Sequence, residues 1–212
     1  MYNEFDLEIG KIFYEERYDG GGTTFGINSL KDERVIPHIK KGRILEMCSG
    51  PGFMGFYLKF QNYANELYLS DINGYHTDYI KKTIEYNNLS NVNFIQSNGF
   101  DSIPKDLKFD TIVVNPPHYA TARIGGYNTS EEELMSLDEG MVFHKKFIDD
   151  AKYYLKDNGV ILLIGNMGGI TPSDIEKIGI VDYTFSTLAC ERFGWIRDSK
   201  FYVLKITERN GH

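Results

Sequence analysis

The sequence predicts an α/β fold: a doubly wound, mostly parallel sheet of seven strands, with an antiparallel pair at one edge and helices on both faces. Two observations carry this. Short apolar runs alternate with longer amphipathic ones over most of the chain, the pattern of βαβ units in a parallel sheet. The last two apolar runs, "VDYTFST" (181–187) and "FYVLKIT" (201–207), have no helical pattern between them. They are expected to form a hairpin-like pair across the loop "LACERFGWIRDSK".

The elements follow in chain order. "RILEM" (43–47) is the first sheet strand, followed by a Gly-rich turn and a helix from about Phe53 to Asn62. "ELYLSD" (66–71) is the second strand, and the helix after it places Tyr79, Ile80, Thr83 and Ile84 on one face. "VNFIQS" (92–97) is the third strand and "FDTIVVN" (109–115) the fourth. A longer loop leads to a helix from about Asp138 to Lys156, whose Phe143, Phe147, Ala151 and Leu155 recur every four residues as an apolar stripe. "NGVILLIGN" (158–166) is the fifth strand, opened by a turn-forming Asn-Gly, and a short helix near 172–178 precedes the final pair. No internal repeat divides the chain. The expected organisation is an N-terminal lid or substrate-binding segment, 1–40, and one catalytic domain, 41–212.

Composition narrows the function classes. A chain of 212 residues can bury a full core without disulfides or metals. No apolar run approaches the ~18–20 residues that span a bilayer, and the N-terminus lacks a signal-peptide core. A cytoplasmic location and no membrane partner are expected. The two cysteines, Cys48 and Cys190, form no CxxC or Cys/His cluster, so no metal site is expected. The net charge of −7 disfavours unaided binding to nucleic acid, where phosphate neutralisation supplies most of the affinity.

"ILEMCSGPGFMG" (44–55) follows a strand and opens a helix. Gly50 and Gly52 allow a sharp turn and close approach of a ligand, and Gly55 allows the helix to pack near the sheet. The same Rossmann-like arrangement holds a pyrophosphate in dinucleotide-binding folds, but here Glu46 stands just before the loop, where a carboxylate repels phosphate and suits an amino group or positive charge. Asp71 ends the next strand, where a carboxylate can accept ribose hydroxyls. Two acidic strand ends flanking a glycine loop favour a nucleoside without phosphates, which describes S-adenosylmethionine (SAM).

"LEMCSGPG", "SDIN" and "NPPHY", in this order and spacing, resemble the class I SAM-dependent methyltransferases. Within them, NPP followed by an aromatic residue marks the branch that methylates nitrogen on planar groups. The "CSGPG" loop and "DEGMVFHKKFIDDAKYYLKDNGVILLI" (138–164) are most similar to the protein-glutamine methyltransferases of release factors and a ribosomal protein. The resemblance runs from about Gly42 to Ile164. It implies Glu46 and Gly50 near the methionine part of SAM, Asp71 on the ribose and Ile72 against the adenine. Cys48 and Gly52 belong to the same loop, with Cys48 in place of its first glycine. Asn98, Gly99 and Phe100 occupy the segment after the third strand that faces the adenine amine.

"IVVNPPHY" (112–119) explains itself once a nitrogen acceptor is considered. Two prolines cannot continue a central strand, so the strand halts and exposes Asn115 at the ligand-binding end of the sheet. An amide nitrogen has a delocalised lone pair. Holding both N–H groups on carbonyl acceptors, the Asn115 side chain and the Pro116 backbone, favours a pyramidal and more nucleophilic nitrogen aimed at the methyl carbon. Asn115 also borders the cofactor. His118 departs from the usual Tyr, Phe or Trp; it can stack, hydrogen-bond, contact an acidic group or accept the released proton, and Tyr119 can take over stacking.

The glycine-rich "YDGGGTTFG" (18–26) is expected to act as a lid, with "ARIGGYNTSEEE" (122–133) closing from the other side and Ser130 with Glu133 forming a capping box. Only about forty residues precede the first sheet strand, fewer than the helical recognition domain of the release-factor enzymes. The expected acceptor is therefore a small molecule or an exposed peptide or protein side chain. RNA or DNA base methylation is one alternative, and a catalytically silent SAM-binding partner subunit is another. The oligomeric state is not readable from the chain.

Overall fold

The computed structural model describes residues 2–19, 25–122, 129–179, 183–192 and 200–209. Its centre is β3 (Gly42–Met47), flanked in parallel by β4 (Ala64–Asp71) and β6 (Phe109–Val114). Outside these lie β5 (Val92–Gln96), parallel to β4, and β7 (Leu155–Asn166), parallel to β6. Then β9 (Lys200–Glu208) inserts antiparallel between β7 and β8 (Tyr183–Arg192), giving the order β5-β4-β3-β6-β7-β9-β8. The seven strands and the antiparallel edge are those expected.

The period-2 alternation of the strands places one core on each face. On β6, Ile112 and Val114 point to α5 (Val142–Ala151) and α6 (Pro172–Gly179), where Phe147, Ile148, Ala151 and Ile175 are buried. Val113 points the other way, into the core of α1 (Ile27–Lys31), α2 (Phe53–Phe60) and α3 (Thr77–Tyr86). Each fully buried aliphatic side chain contributes about 1.5–3 kcal/mol. Because both faces are covered, the inner stretches 112–114 of β6 and 160–164 of β7 are continuous apolar runs.

The chain winds outward through β4 and β5, returns to the middle at β6 and continues the other way. The ends of β3 and β6 therefore diverge at a switch point, the place where open α/β sheets leave a crevice.

An element that the sequence pattern does not predict lies at the N-terminus. β1 (Asn3–Leu7) and β2 (Gly10–Tyr14) form a separate antiparallel hairpin. It packs on α3: the Phe13 amide donates to Thr83 Oγ1 (3.0 Å) and the Lys11 amide to Asn87 Oδ1 (2.9 Å). A 3₁₀ turn, Glu16–Tyr18, follows.

Three local expectations are corrected. The helix expected over 138–156 is shorter: a 3₁₀ turn at Glu139–Met141 precedes α5, which ends at Ala151. Leu155 is buried but belongs to β7, because the Asn-Gly sits in a bulge inside that strand rather than before it. The cap of α4 (Ser130–Ser136) is Thr129 rather than Ser130: its hydroxyl accepts the Glu132 amide at 3.0 Å. The glycine run at 20–22, residues 123–128 of "ARIGGYNTSEEE" and the loop between β8 and β9 lie outside the described residues. No helix among the described residues is long and apolar enough to cross a membrane.

Candidate active site

A cleft of about 470 Å³ opens at the switch point. Its floor is made by the C-terminal ends of β3, β4 and β6 and by the turns that follow them.

The turn after β3 alternates conformations. Cys48, Gly50 and Gly52 all have positive φ (54°, 49° and 89°), so the backbone doubles back and starts α2 within five residues. Glycine takes this conformation freely, whereas a side chain there costs about 1–2 kcal/mol. Cys48 is therefore strained in a position that favours glycine. Its half-buried thiol is pushed well above the ordinary range by burial, with Asp71, Asp138 and Glu46 adding to the effect.

Glu46 is 2% exposed and turns its carboxylate to the start of α2. The Gly55 amide donates to one oxygen at 2.7 Å and the Met54 amide to the other at 3.3 Å. Gly55 is needed at this contact, since a Cβ there would stand 2.8 Å from Glu46 Oε2 and 2.7 Å from Leu69. Burial pushes the Glu46 carboxyl up to about 8, although the two amides pull it down; Asp71 adds to the rise. Asp71 receives the Gly50 amide on one oxygen and the Asn73 amide on the other, both at 2.8 Å. Each carboxylate oxygen has two acceptor directions, so lone pairs remain for ligand hydroxyls. Ile72, 45% exposed, borders the cleft beside it, and Ser49, Ser97, Asn98 and Gly99 continue the wall.

After β6 the chain enters the turn Asn115-Pro116-Pro117-His118-Tyr119, all five of which line the cleft. This turn is held on both sides by backbone. The Tyr119 amide donates to Ser136 O (3.0 Å), the Asp138 amide to Tyr119 O (2.8 Å) and the Ile170 amide to His118 O (2.7 Å). Phe25 and Phe201 stack on each other (4.0 Å between ring centroids), and the His118 ring lies 6.2 Å and 6.0 Å from them. Burial lowers the His118 pKa to about 4, and His144 adds to the effect. His118 is neutral at physiological pH and can stack, donate or accept, but it does not carry the charge needed to bind an acidic group.

Of the residues singled out in the sequence, the cleft brings together Glu46, Cys48, Gly50, Asp71, Ile72, Asn98, Gly99, Asn115, Pro116, His118 and Tyr119. Two expected residues are not in its lining. Gly52 caps α2 behind the turn. Phe100 points into the core instead, stacked on Tyr154 (4.4 Å) and Phe147 (5.6 Å) and 3% exposed. Sequence reasoning had Tyr18 and Asp19 only within the expected lid segment, and missed His76 from the turn before α3 and Asp138. Asp138, three residues before the Met141 cap, holds the first turn of α5: its oxygens accept the Phe143 amide (2.8 Å) and the His144 amide (3.0 Å), and His144 Nδ1 lies 2.6 Å from one of them. Burial pushes the Asp138 carboxyl up, but these partners more than offset it and leave its pKa below the ordinary value. The Asp-Glu-Gly stretch before an apolar helix was the available signal, since an acid there is a common helix cap.

The described lining carries five acidic side chains, Asp19, Glu46, Asp71, Glu132 and Asp138, and no Lys or Arg. Such a cleft suits ammonium, hydroxyl and amide groups and disfavours phosphate. Among the described residues no group of three His, Cys, Asp or Glu side chains could hold a metal ion.

Comparison with known proteins identifies the family and the fold. Residues 8–178 match the family model for the methyltransferase small domain. A release factor glutamine methyltransferase of Fusobacterium nucleatum is 32% identical over 168 residues, covering 74% of this chain and 45% of that protein. A ribosomal RNA small subunit methyltransferase C of Actinobacillus succinogenes is 26% identical over 155 residues, covering 73% of this chain and 39% of that protein. The chain thus spans less than half the length of either relative. Among solved structures, the Thermus thermophilus 16S rRNA N2 G1207 methyltransferase, in complex with AdoMet and guanosine, superposes with a TM-score of 0.67 at 19% identity. That superposition covers 99% of this chain and 51% of the other, and it supports the fold.

Proposed function

Because the chain belongs to the methyltransferase small domain family, we propose that it is a SAM-dependent N-methyltransferase acting on an amide or amine nitrogen. The observation that carries this reading is the meeting, in one cleft, of Glu46 and Asp71 on one side with Asn115-Pro116-Pro117 on the other.

The residues fit the cofactor by their chemistry. Glu46 suits the ammonium of the methionine part, Asp71 the ribose hydroxyls, and Ile72 an adenine face. When bound, SAM supplies an activated methyl group on its sulfonium. The protein's part is placement. The Asn115 side-chain oxygen and the Pro116 carbonyl accept the two N–H groups of the acceptor, and His118 and Tyr119 present flat faces to its plane. The prolines stiffen this turn, since φ is set at both. Glu46 and Asp71 would hold SAM so that its methyl could be supplied to the acceptor nitrogen, which would then lose a proton. His118, with a pKa of about 4, is too weak a base to hold that proton at neutral pH. In this reading the turn at Tyr18 and Asp19 borders the cofactor side of the cleft, and the compartment is placed as the cytoplasm.

The acceptor is proposed to be a small molecule or a protein or peptide side chain, since the described lining lacks a basic residue to meet a phosphate backbone. The ribosomal RNA methyltransferase among the relatives favours a second reading, N-methylation of a guanine or adenine amine. Incubating cell extract with the enzyme and SAM, followed by mass spectrometry for a +CH₂ product, distinguishes the two by the molecule that gains the methyl. Asn115→Ala is expected to lower turnover by about 10²–10³ while SAM still binds. Full turnover in that variant overturns the amide clamp; absence of SAM binding in the unmodified protein overturns the whole reading.

A further inference from the structure

His76 was not among the residues expected in the site, and the methyl-transfer reading leaves it without a role. It sits at the end of a 3₁₀ turn, Gly74–His76, between β4 and α3, and is 3% exposed. Its imidazole nonetheless borders the cleft. Nδ1 is buried and makes no hydrogen bond within the described chain. Leaving a buried polar group without a partner is costly, so such groups in native structures usually mark a ligand or an ordered water.

The surroundings narrow the ligand. Tyr18 meets the imidazole edge-on, with centroids 4.8 Å apart at 84°, and fixes the plane of the ring. The far nitrogen, Nε2, lies beside the glycine turn, 4.0 Å from where a Cβ on Gly50 would be. Asp71 and Glu15 are the charged groups close enough to act on it electrostatically; both favour its protonation, but burial outweighs them and lowers its pKa. A neutral imidazole next to a carboxylate is complementary to a hydroxyl. The hydroxyl donates to the carboxylate and has lone pairs left over, and an imidazole N–H can fill one of them. Asp71 by itself only accepts, so it leaves the acceptor side of any hydroxyl unserved.

We propose that His76 is a cofactor-binding residue that hydrogen-bonds the ribose hydroxyls alongside Asp71, held for this by Tyr18. This rests on the reading that the cleft binds SAM. It also accounts for the N-terminal turn, whose Tyr18 (4% exposed) closes the cofactor side of the cleft through His76.

The test is calorimetric titration of S-adenosylhomocysteine, and of its 2′,3′-dideoxy analogue, into the unmodified protein and into His76→Phe and His76→Ala. His76→Phe keeps an aromatic ring against Tyr18 and removes both nitrogens; far-UV circular dichroism checks that each variant is folded. For S-adenosylhomocysteine, His76→Phe is expected to weaken binding about tenfold. For the dideoxy analogue the same substitution is expected to change affinity less than about twofold. Equal losses for both ligands, or no loss for either, overturn the role of His76 and leave the enzyme reading intact. If the unmodified protein binds neither ligand, the cofactor reading fails and this inference fails with it.

Discussion

The carbonyl oxygen of His118 occupies the place where Gly169 would carry a Cβ, and the next amide, Ile170, donates to that same oxygen at 2.7 Å. The loop after β7 thus acts as a backbone buttress for the Asn-Pro-Pro turn. Replacing Gly169 by Ala must push His118 and the turn toward the cleft. A shift of about 1 Å can lower the rate by ~10²-fold, because the nitrogen lone pair no longer points along the transfer axis. Gly169→Ala is expected to lose turnover to about that extent while S-adenosylhomocysteine affinity, measured by calorimetry, stays within a few-fold. An unchanged kcat would show that the turn does not lean on this loop.

Glu46 gives binding a pH dependence of known sign. Its carboxyl titrates at about 8 in the folded chain against an ordinary 4.5, so it is protonated at neutral pH. An ammonium placed against it favours the carboxylate and expels that proton. Affinity for S-adenosylhomocysteine is therefore expected to rise from pH 6 to 8, with up to about one proton released near pH 7. Titrations in two buffers of different ionisation heat measure the release. The same shift means the folded state holds a proton the unfolded state has lost between 4.5 and about 8, so its contribution to stability falls as pH rises through that window. Glu46→Gln is expected to flatten both slopes.

His118 titrates in the opposite sense. Its pKa of about 4, against an ordinary 6.5, means the unfolded chain takes up a proton that the folded chain refuses. Stability is lost as pH falls from about 6.5 to 4, and His118→Phe is expected to remove that part of the loss. Proton NMR of the imidazole provides the direct check: no titration of its C2 proton above about pH 5. A midpoint near 6.5 would place a charged His118 in the active range and restore acidic acceptors as substrates.

Asp138 and His144 are expected to matter chiefly for stability. His144→Ala removes the 2.6 Å partner of a buried carboxylate that two helix amides still hold. A loss of about 1–3 kcal/mol is expected in urea denaturation. Because the Asp138 amide also holds Tyr119 O, turnover is expected to fall further than S-adenosylhomocysteine affinity. An equal fall in both would mean the pair supports the whole cleft and not the acceptor side.

Much of the fold was readable because it repeats locally. The apolar runs of β3, β6 and β7 alternate between two cores, and proline cannot extend a central strand, so Asn115 had to stand at the strand's open end. The positive φ at Gly50 and Gly52 likewise follows from residue type, and Cys48 shares that conformation at some cost. Where the reading erred, local signals were ambiguous. Leu155 fits a helical stripe and a strand equally well, and only its pairing with Phe109 decided for β7.

What the sequence determined by itself was the class of fold and the residues at the strand ends, since both depend on neighbours a few positions apart. What only the tertiary structure decided was which distant side chains join them. Tyr18 reaches His76, Gly169 backs His118, the stacked pair Phe25 and Phe201 lies beside the His118 ring, and Phe100 leaves the cleft for the core. These contacts join segments far apart in the chain, and close packing of the two cores selects them rather than any periodicity in the sequence.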